Sequence, residues 1–241
     1  ISICLNIFSQ NVGDYRTKYT DSSMQIWYNP DAWEVFDGTS WVDASDFPND
    51  PNVNVTIRSG SYYVISQIPE FQVIVPDYGM LGIIIFVNNL QIDSLGKLHL
   101  LDLVQMNINN LNVYGEFKSF DNDMVFDYID FWVNGNITVG ENAIMSLWSN
   151  NSSSIYMADD NNSIIETNPN CLFDISVLLI SKNNIDATVR FVYNGGILSS
   201  DGDTSQGFLF LLSTDSRGTF YLTGNGSINY PLFNRLFIVH G

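Results

Sequence analysis

Gly79, Gly96, Gly115 and Gly135 break the middle of the chain at a nearly even spacing. A recurrence of roughly 20 residues, with short apolar stretches between the breaks, is the signature of stacked coils, each burying a face it cannot bury alone. Neighbouring phrases also repeat. Val87-Asn-Asn-Leu-Gln-Ile92 and Ile108-Asn-Asn-Leu-Asn-Val113 share the pattern apolar-Asn-Asn-Leu-x-apolar, one such period apart. The class this predicts is all-β, a solenoid of short strands, with a β-sandwich as the alternative that also uses many short strands.

The strands themselves are written in period two. Val53, Val55 and Ile57 alternate with Asn54, Thr56 and Arg58, and β-branched residues on one side of such a run suit a half-buried strand. Leu98-Leu100, Leu111-Val113, Ile129-Phe131-Val133 and Ile137-Val139 read the same way. Segment 150–170 is polar and predicts a long loop or broken coil, so the solenoid over 52–241 is expected to be less regular after 150. Phe173 to Ile180 predicts one fully buried strand, and Thr188–Tyr193, Gly207–Leu212 and Thr219–Thr223 predict three more. No amphipathic helix of ten residues stands out, because Asn, Asp, Ser and β-branched residues dominate. Apolar residues recur to Val239, which predicts either that the natural chain continues or that Leu236 to Val239 closes the core.

The chain has 28 Asn in 241 residues, about one in nine. Asn tolerates left-handed backbone at corners, caps turns, and can stack in hydrogen-bonded ladders between coils. Only four lysines occur (Lys18, Lys97, Lys118 and Lys182), and nine Lys plus Arg against 26 Asp plus Glu give −17. So poor a cation supply excludes binding to nucleic-acid phosphates or anchoring on anionic lipid. No run reaches the roughly 18 apolar residues of a membrane-spanning helix, so no membrane insertion is expected.

Cys4 and Cys171 form no C-x-x-C unit; one bridge is open to them, and Cys171 otherwise reads as a small buried hydrophobe. His99 and His240 cannot build a three-histidine zinc site. Residues 1–10 open with six apolar residues among the first eight, which fits either the end of a secretory signal peptide cut near Ser9 or Gln10 or a buried first strand. Segment 11–51 gathers Trp27, Tyr28, Trp33 and Trp41. Flat rings with polar edges suit stacking on sugars, which makes Trp27, Trp33 and Trp41 candidate carbohydrate contacts. The other reading of these rings is an aromatic cap over the solenoid's open end.

Gln10-Asn-Val-Gly-Asp-Tyr-Arg16, Trp33-Glu-Val-Phe-Asp-Gly-Thr-Ser-Trp41, Phe47-Pro48 and Val53-Asn-Val-Thr-Ile-Arg-Ser-Gly60 resemble the start of secreted Bacteroidetes (Flavobacterium-like) surface proteins. The resemblance implies a signal peptide, a Trp-rich opening segment and Gly-punctuated coils forming a right-handed parallel β-helix. It carries little about activity.

Asp121, Asp123, Asp127 and Asp130 cluster between Phe120 and Phe131. On a β-helix, carboxylates of one face could bind calcium and a sugar acid, as a likeness to polysaccharide lyases would imply. Asp121, Asp123 and Asp127 are then the candidate acids, with Lys118 or Arg190 as the basic group; the plain reading is a solvated acidic loop. Asp201 and Asp203, in Asp201-Gly-Asp-Thr-Ser205, offer hard oxygen ligands for calcium but fail the EF-hand pattern at Gln206 and Leu212. There is no G-x-S-x-G elbow, no dinucleotide fingerprint and no phosphate loop. The leading expectation is a secreted or cell-surface structural or adhesive module contacting an extracellular polysaccharide or cell-surface ligand without catalysis. A polysaccharide lyase or glycoside hydrolase on the same scaffold, and a viral or phage fibre domain, are the alternatives.

Overall fold

The computed structural model describes residues 10–66, 73–75, 80–101, 104–120, 128–147, 152–175, 177–182, 184, 186–199, 209–213, 219–224 and 236–239. The chain is all-β, and among these residues its one helical turn is a 3-10 turn at Pro30–Ala32. The amino-terminal strands are β1 (Tyr15–Thr17), β2 (Met24–Ile26), β3 (Trp33–Phe36) and β4 (Trp41–Asp43). Then follow β5 (Asp50–Ile57), β6 (Tyr62–Ile65), β7 (Val73–Val75), β8 (Met80–Ile92), β9 (Lys97–Leu101), β10 (Val104–Val113) and β11 (Glu116–Phe120). Next come β12 (Tyr128–Val133), β13 (Ile137–Val139), β14 (Ile144–Leu147), β15 (Ser152–Met157), β16 (Ser163–Thr167), β17 (Leu172–Ile175) and β18 (Val177–Ile180). The last are β19 (Thr188–Tyr193), β20 (Ile197–Ser199), β21 (Leu209–Ser213), β22 (Thr219–Thr223) and β23 (Leu236–Val239).

Pairing is parallel throughout the body. From β12 to β19 each strand pairs with the strand three further on, giving β12–β15–β18–β21, β13–β16–β19–β22 and β14–β17–β20, and β21 then pairs with β23. The first two series join through the long strands β8 and β10 into a 16-stranded sheet, and the third continues a seven-stranded sheet that starts at β2. Antiparallel pairs among the described residues are confined to β1–β3, β3–β4 and β7–β8. Such parallel ladders are unlike the antiparallel pairing of an immunoglobulin-type sandwich.

Three rows of side chains stack in register and bury together. Ile85, Met106, Phe131, Ile155 and Leu178 form one, and Leu90, Leu111, Ile137, Ile165 and Phe191 a second. Tyr63, Leu98, Phe117, Met145, Phe173 and Leu198 form the third, in the seven-stranded sheet. All belong to one hydrophobic cluster. Period-two alternation puts each such residue on the buried side, where a full-sized aliphatic or aromatic contributes about 1.5–3 kcal/mol.

The Asn excess has a place. Asn54 donates its amide to Asp14 (2.9 Å), Asn89 to Asn54 (2.5 Å) and Asn110 to Asn89 (2.7 Å). The Oδ1 of Asn110 accepts the backbone N–H of Asn136 (2.9 Å), and that of Asn136 accepts from Ile164 (2.8 Å). This ladder runs along the corner where β12 gives way to β13 and where β8 and β10 pass from one strand series to the next.

A second corner uses left-handed turns. Gly60 (φ 81°), Leu95 (67°), Asn142 (61°) and Asn170 (61°) occupy the same place. Each directly precedes a residue whose N–H returns three positions: Ser61 to Arg58, Gly96 to Asp93, Ala143 to Gly140 and Cys171 to Asn168. Positive φ at the third position is the type II arrangement that Gly and Asn serve well.

Two expectations are corrected. Of the two readings of segment 150–170, a long loop or a broken coil, the long loop is overturned: it holds β15 and β16, whose Ile155, Met157 and Ile165 are buried. Its Ser and Asn content misleads because parallel neighbours supply the backbone partners whatever the outward side chains are. The apolar run from Phe173 to Ile180 is not one strand but β17 and β18, which lie in different sheets.

Candidate functional site

The amino-terminal rings do not form a sugar platform. Trp27 and Trp33 are fully buried, with centroids 4.8 Å apart, and Trp33 lies 4.8 Å from Tyr63 at the start of the third core row. Trp27 donates its indole N–H to the Pro48 carbonyl (3.0 Å) and Trp33 to that of Trp27 (2.7 Å), so both polar edges are satisfied inside. Neither ring can face a ligand, which corrects the sugar-stacking expectation for Trp27 and Trp33; they are core because segment 11–51 folds over them. Trp41 is half-buried, with the Arg16 guanidinium 4.3 Å above its ring.

Asp121, Asp123, Asp127, Asp201, Asp203, Cys4, His240 and the possible leader 1–9 lie outside the described residues. Asp130 is described and buried. Cys171 is buried, as a small hydrophobe would be, and burial pushes its thiol pKa up. Arg190 stands exposed on β19, away from the seven-stranded sheet. Among the described residues no group of three His, Cys, Asp or Glu is placed to hold a metal, and no helix is long and apolar enough to cross a membrane.

Chemistry does converge on the outer face of the seven-stranded sheet. Two triplets, Lys97-Leu98-His99 on β9 and Glu116-Phe117-Lys118 on β11, turn their middle residues into the core and their flanking polar groups outward. The register sets Glu116 beside Lys97 and Lys118 beside His99. Glu116 is the hub: its carboxylate takes His99 Nε2 at 2.6 Å, Lys118 Nζ at 3.3 Å and Lys97 Nζ at 3.9 Å. His99 Nδ1 meets the Tyr62 hydroxyl at 3.1 Å. A neutral ring that donates from Nε2 to Glu116 and accepts at Nδ1 from Tyr62 satisfies all three groups.

Burial pushes the His99 pKa down, assisted by the charges of Lys118 and Lys97, and the Glu116 hydrogen bond and charge do not make up the difference. Burial alone would raise the Glu116 pKa. The His99 hydrogen bond and the two ammoniums outweigh it, so its carboxyl sits below the usual range. The contact between them is therefore a hydrogen bond to an ionised carboxylate rather than an ion pair. Next along the same outer row, Ser146 donates to Asp174 at 3.0 Å.

Beside this face a cleft of about 390 Å³ opens over the aligned turns. Lys97, Tyr114, Glu116, Glu141 and Asn142 line it, with Leu95 at its rim. The ring of Tyr114 lies against Gly140, where an added Cβ would collide with its Cδ1. The sequence held a signal for this site: two triplets of polar-apolar-polar form, each directly after a Gly of the recurrence and one period apart. Of these residues only Lys118 is among the site residues expected from the sequence, because the triplets alone do not say that their outward groups meet, and nothing in sequence marks Tyr62, Tyr114 or Glu141. No protein-family model, curated protein or solved structure matches the chain.

Proposed function

We propose that the chain is a right-handed parallel β-helix, secreted or displayed at a cell surface, that contacts carbohydrate through the Tyr114 cleft without turning it over. The three-strand rotation and the single core beneath three rows support the winding, and parallel crossovers within one sheet are right-handed in nearly all cases. Segment 11–51 acts as the cap. Trp33 packs on Tyr63 and Trp27 on Trp33, and β1, β3 and β4 occupy the sheet's first edge, where a solenoid otherwise exposes its cross-section. The secreted location rests on the resemblance of Gln10 to Gly60 and on the apolar opening.

The cleft carries the carbohydrate reading. It sets an aromatic ring, backed by Gly140, among two carboxylates, an ammonium and an amide, the mix of apolar wall and few polar groups that fixes a sugar. Glu116 does not suit the role of general acid, which needs a raised pKa, because the His99 hydrogen bond and the two ammoniums hold its carboxyl below the usual range. The test is calorimetric titration with a panel of neutral and acidic oligosaccharides, together with assays for new reducing ends and unsaturated products. Binding by the native protein, lost in a folded Tyr114→Ala variant and without product formation, is the expected result. Product formation, or binding indifferent to Tyr114, overturns it.

A further inference from the structure

Three of the chain's six lysines and histidines, Lys97, His99 and Lys118, meet at one carboxylate, in a protein of net charge −17. His99 is the nearest of the three partners, at 2.6 Å, with the lysines farther out at 3.3 and 3.9 Å. The two ammoniums add a charge that Glu116 does not balance. With His99 neutral, two ammoniums meet the Glu116 carboxylate, and Glu141 is a second carboxylate on the cleft. The ammoniums are also within reach of solvent: the Lys97 side chain is 47% exposed and that of Lys118 31%, against 6% for His99.

We propose that Lys97 and Lys118 form an anionic subsite beside the cleft, which takes a carboxylate or sulfate carried by a bound sugar. This deepens the carbohydrate reading and rests on it. The groups facing the spot fit the role. Tyr62 from β6 and His99 from β9 fix the Glu116 carboxylate, which in turn holds the ends of the two lysine side chains near each other. Ser146, next to Lys118 in register on β14, gives its hydroxyl proton to Asp174 and leaves the two lysines as the donors. Glu141 is an exposed carboxylate on the cleft wall. Distant carboxylates repel an acidic ligand, but at physiological salt their reach falls to about 8 Å while direct contacts persist.

The experiment is calorimetric titration at physiological salt of an oligogalacturonate, a sulfated galactan oligosaccharide and a neutral cello-oligosaccharide. The proteins are the native chain and its Lys97→Gln, Lys118→Gln, Glu116→Gln and Tyr114→Ala variants, each checked for fold by circular dichroism. Removing either lysine is expected to weaken the acidic ligands by about tenfold or more, the worth of a charge-assisted hydrogen bond, and to leave the neutral one unchanged. Glu116→Gln removes a competing negative charge and keeps an oxygen that can still accept from both lysine ends, so it should tighten acidic binding; loosened binding overturns the subsite. Whichever acidic ligand responds identifies the anion as carboxylate or sulfate. Should Lys118→Gln fail to fold, the more exposed Lys97→Gln decides. Acidic binding that ignores the lysines but needs Tyr114 overturns the subsite and keeps the cleft. Lysine-dependent binding that ignores Tyr114 keeps the subsite and overturns the cleft. No binding by any ligand overturns both.

Discussion

Asn110→Ala tests whether the corner ladder holds the fold. Asn110 gives its amide to Asn89 (2.7 Å) and accepts the backbone N–H of Asn136 (2.9 Å). Its side chain also fills the space over Gly135, where an added Cβ would come within 2.5 Å of its Oδ1. Truncation removes two hydrogen bonds, worth about 1 kcal/mol each, and strands the half-buried Asn89 carbonyl at a further ~1 kcal/mol. The expected loss is about 2–3 kcal/mol. In a domain of this size that is a fall in Tm of about 4–12 °C.

The neighbour Asn109 supplies the control. It is exposed and makes one longer bond, at 3.2 Å, to Asn88, so Asn109→Ala should cost under about 0.5 kcal/mol. Urea unfolding followed by circular dichroism measures both variants. A double-mutant cycle with Asn89→Ala should give a coupling of about 0.5–3 kcal/mol, as expected for residues in one network. Equal, small effects at 109 and 110 would refute the ladder as a stabilising element and leave Asn a mere tolerant corner residue.

Other predictions rest on single positions. Leu95 is 77% exposed at φ 67°, a conformation costing a non-Gly residue about 1–2 kcal/mol; Leu95→Asn, copying Asn142 and Asn170, should raise the urea midpoint by the equivalent of ~0.5–1 kcal/mol. Gly115→Ala would drive a Cβ into the carbonyl oxygens of Gly96 and Asp93, and rigid backbone on both sides should cost about 3 kcal/mol or prevent folding, read by expression and thermal melts. His99 has a folded pKa below its ordinary 6.5, so the unfolded chain binds the extra proton and stability falls as pH drops from about 6.5 toward that lowered value. Glu116, depressed below 4.5, adds a further loss as pH falls past that value; His99→Gln should flatten the first slope in Tm against pH while leaving the later loss in place.

Much of the architecture was legible because it repeats. Inward apolar residues at period two, turn residues between strands, and paired Asn at bends are local demands of stacked strands, and each leaves its mark on residues near in the chain. Val53 to Ile57, Lys97 to Leu101, Ile137 to Val139 and Thr188 to Tyr193 lie in strands for that reason. What could not be read was which outward residues meet. Partner offsets change along the molecule: Lys97 pairs with Glu116, but Glu116 pairs with Ile144, a much longer step in the same sheet, because the connections between strands vary in length. A charge cluster depends on that offset to the residue: a slip of one would turn Glu116 into the core and Phe117 outward.

The same limit governs the tryptophans. Composition shows that rings gather before residue 42, but whether a ring faces water depends on what folds across it, and segment 11–51 closes over Trp27 and Trp33 while leaving Trp41 half-buried. Strand period, corner positions and the poverty of helix are set by backbone preference and nearest neighbours, so they can be read along the chain. The Glu116 hub, the cleft beside Leu95 and the burial of the amino-terminal rings cannot, since each depends on contacts between residues far apart in sequence that only folding brings together.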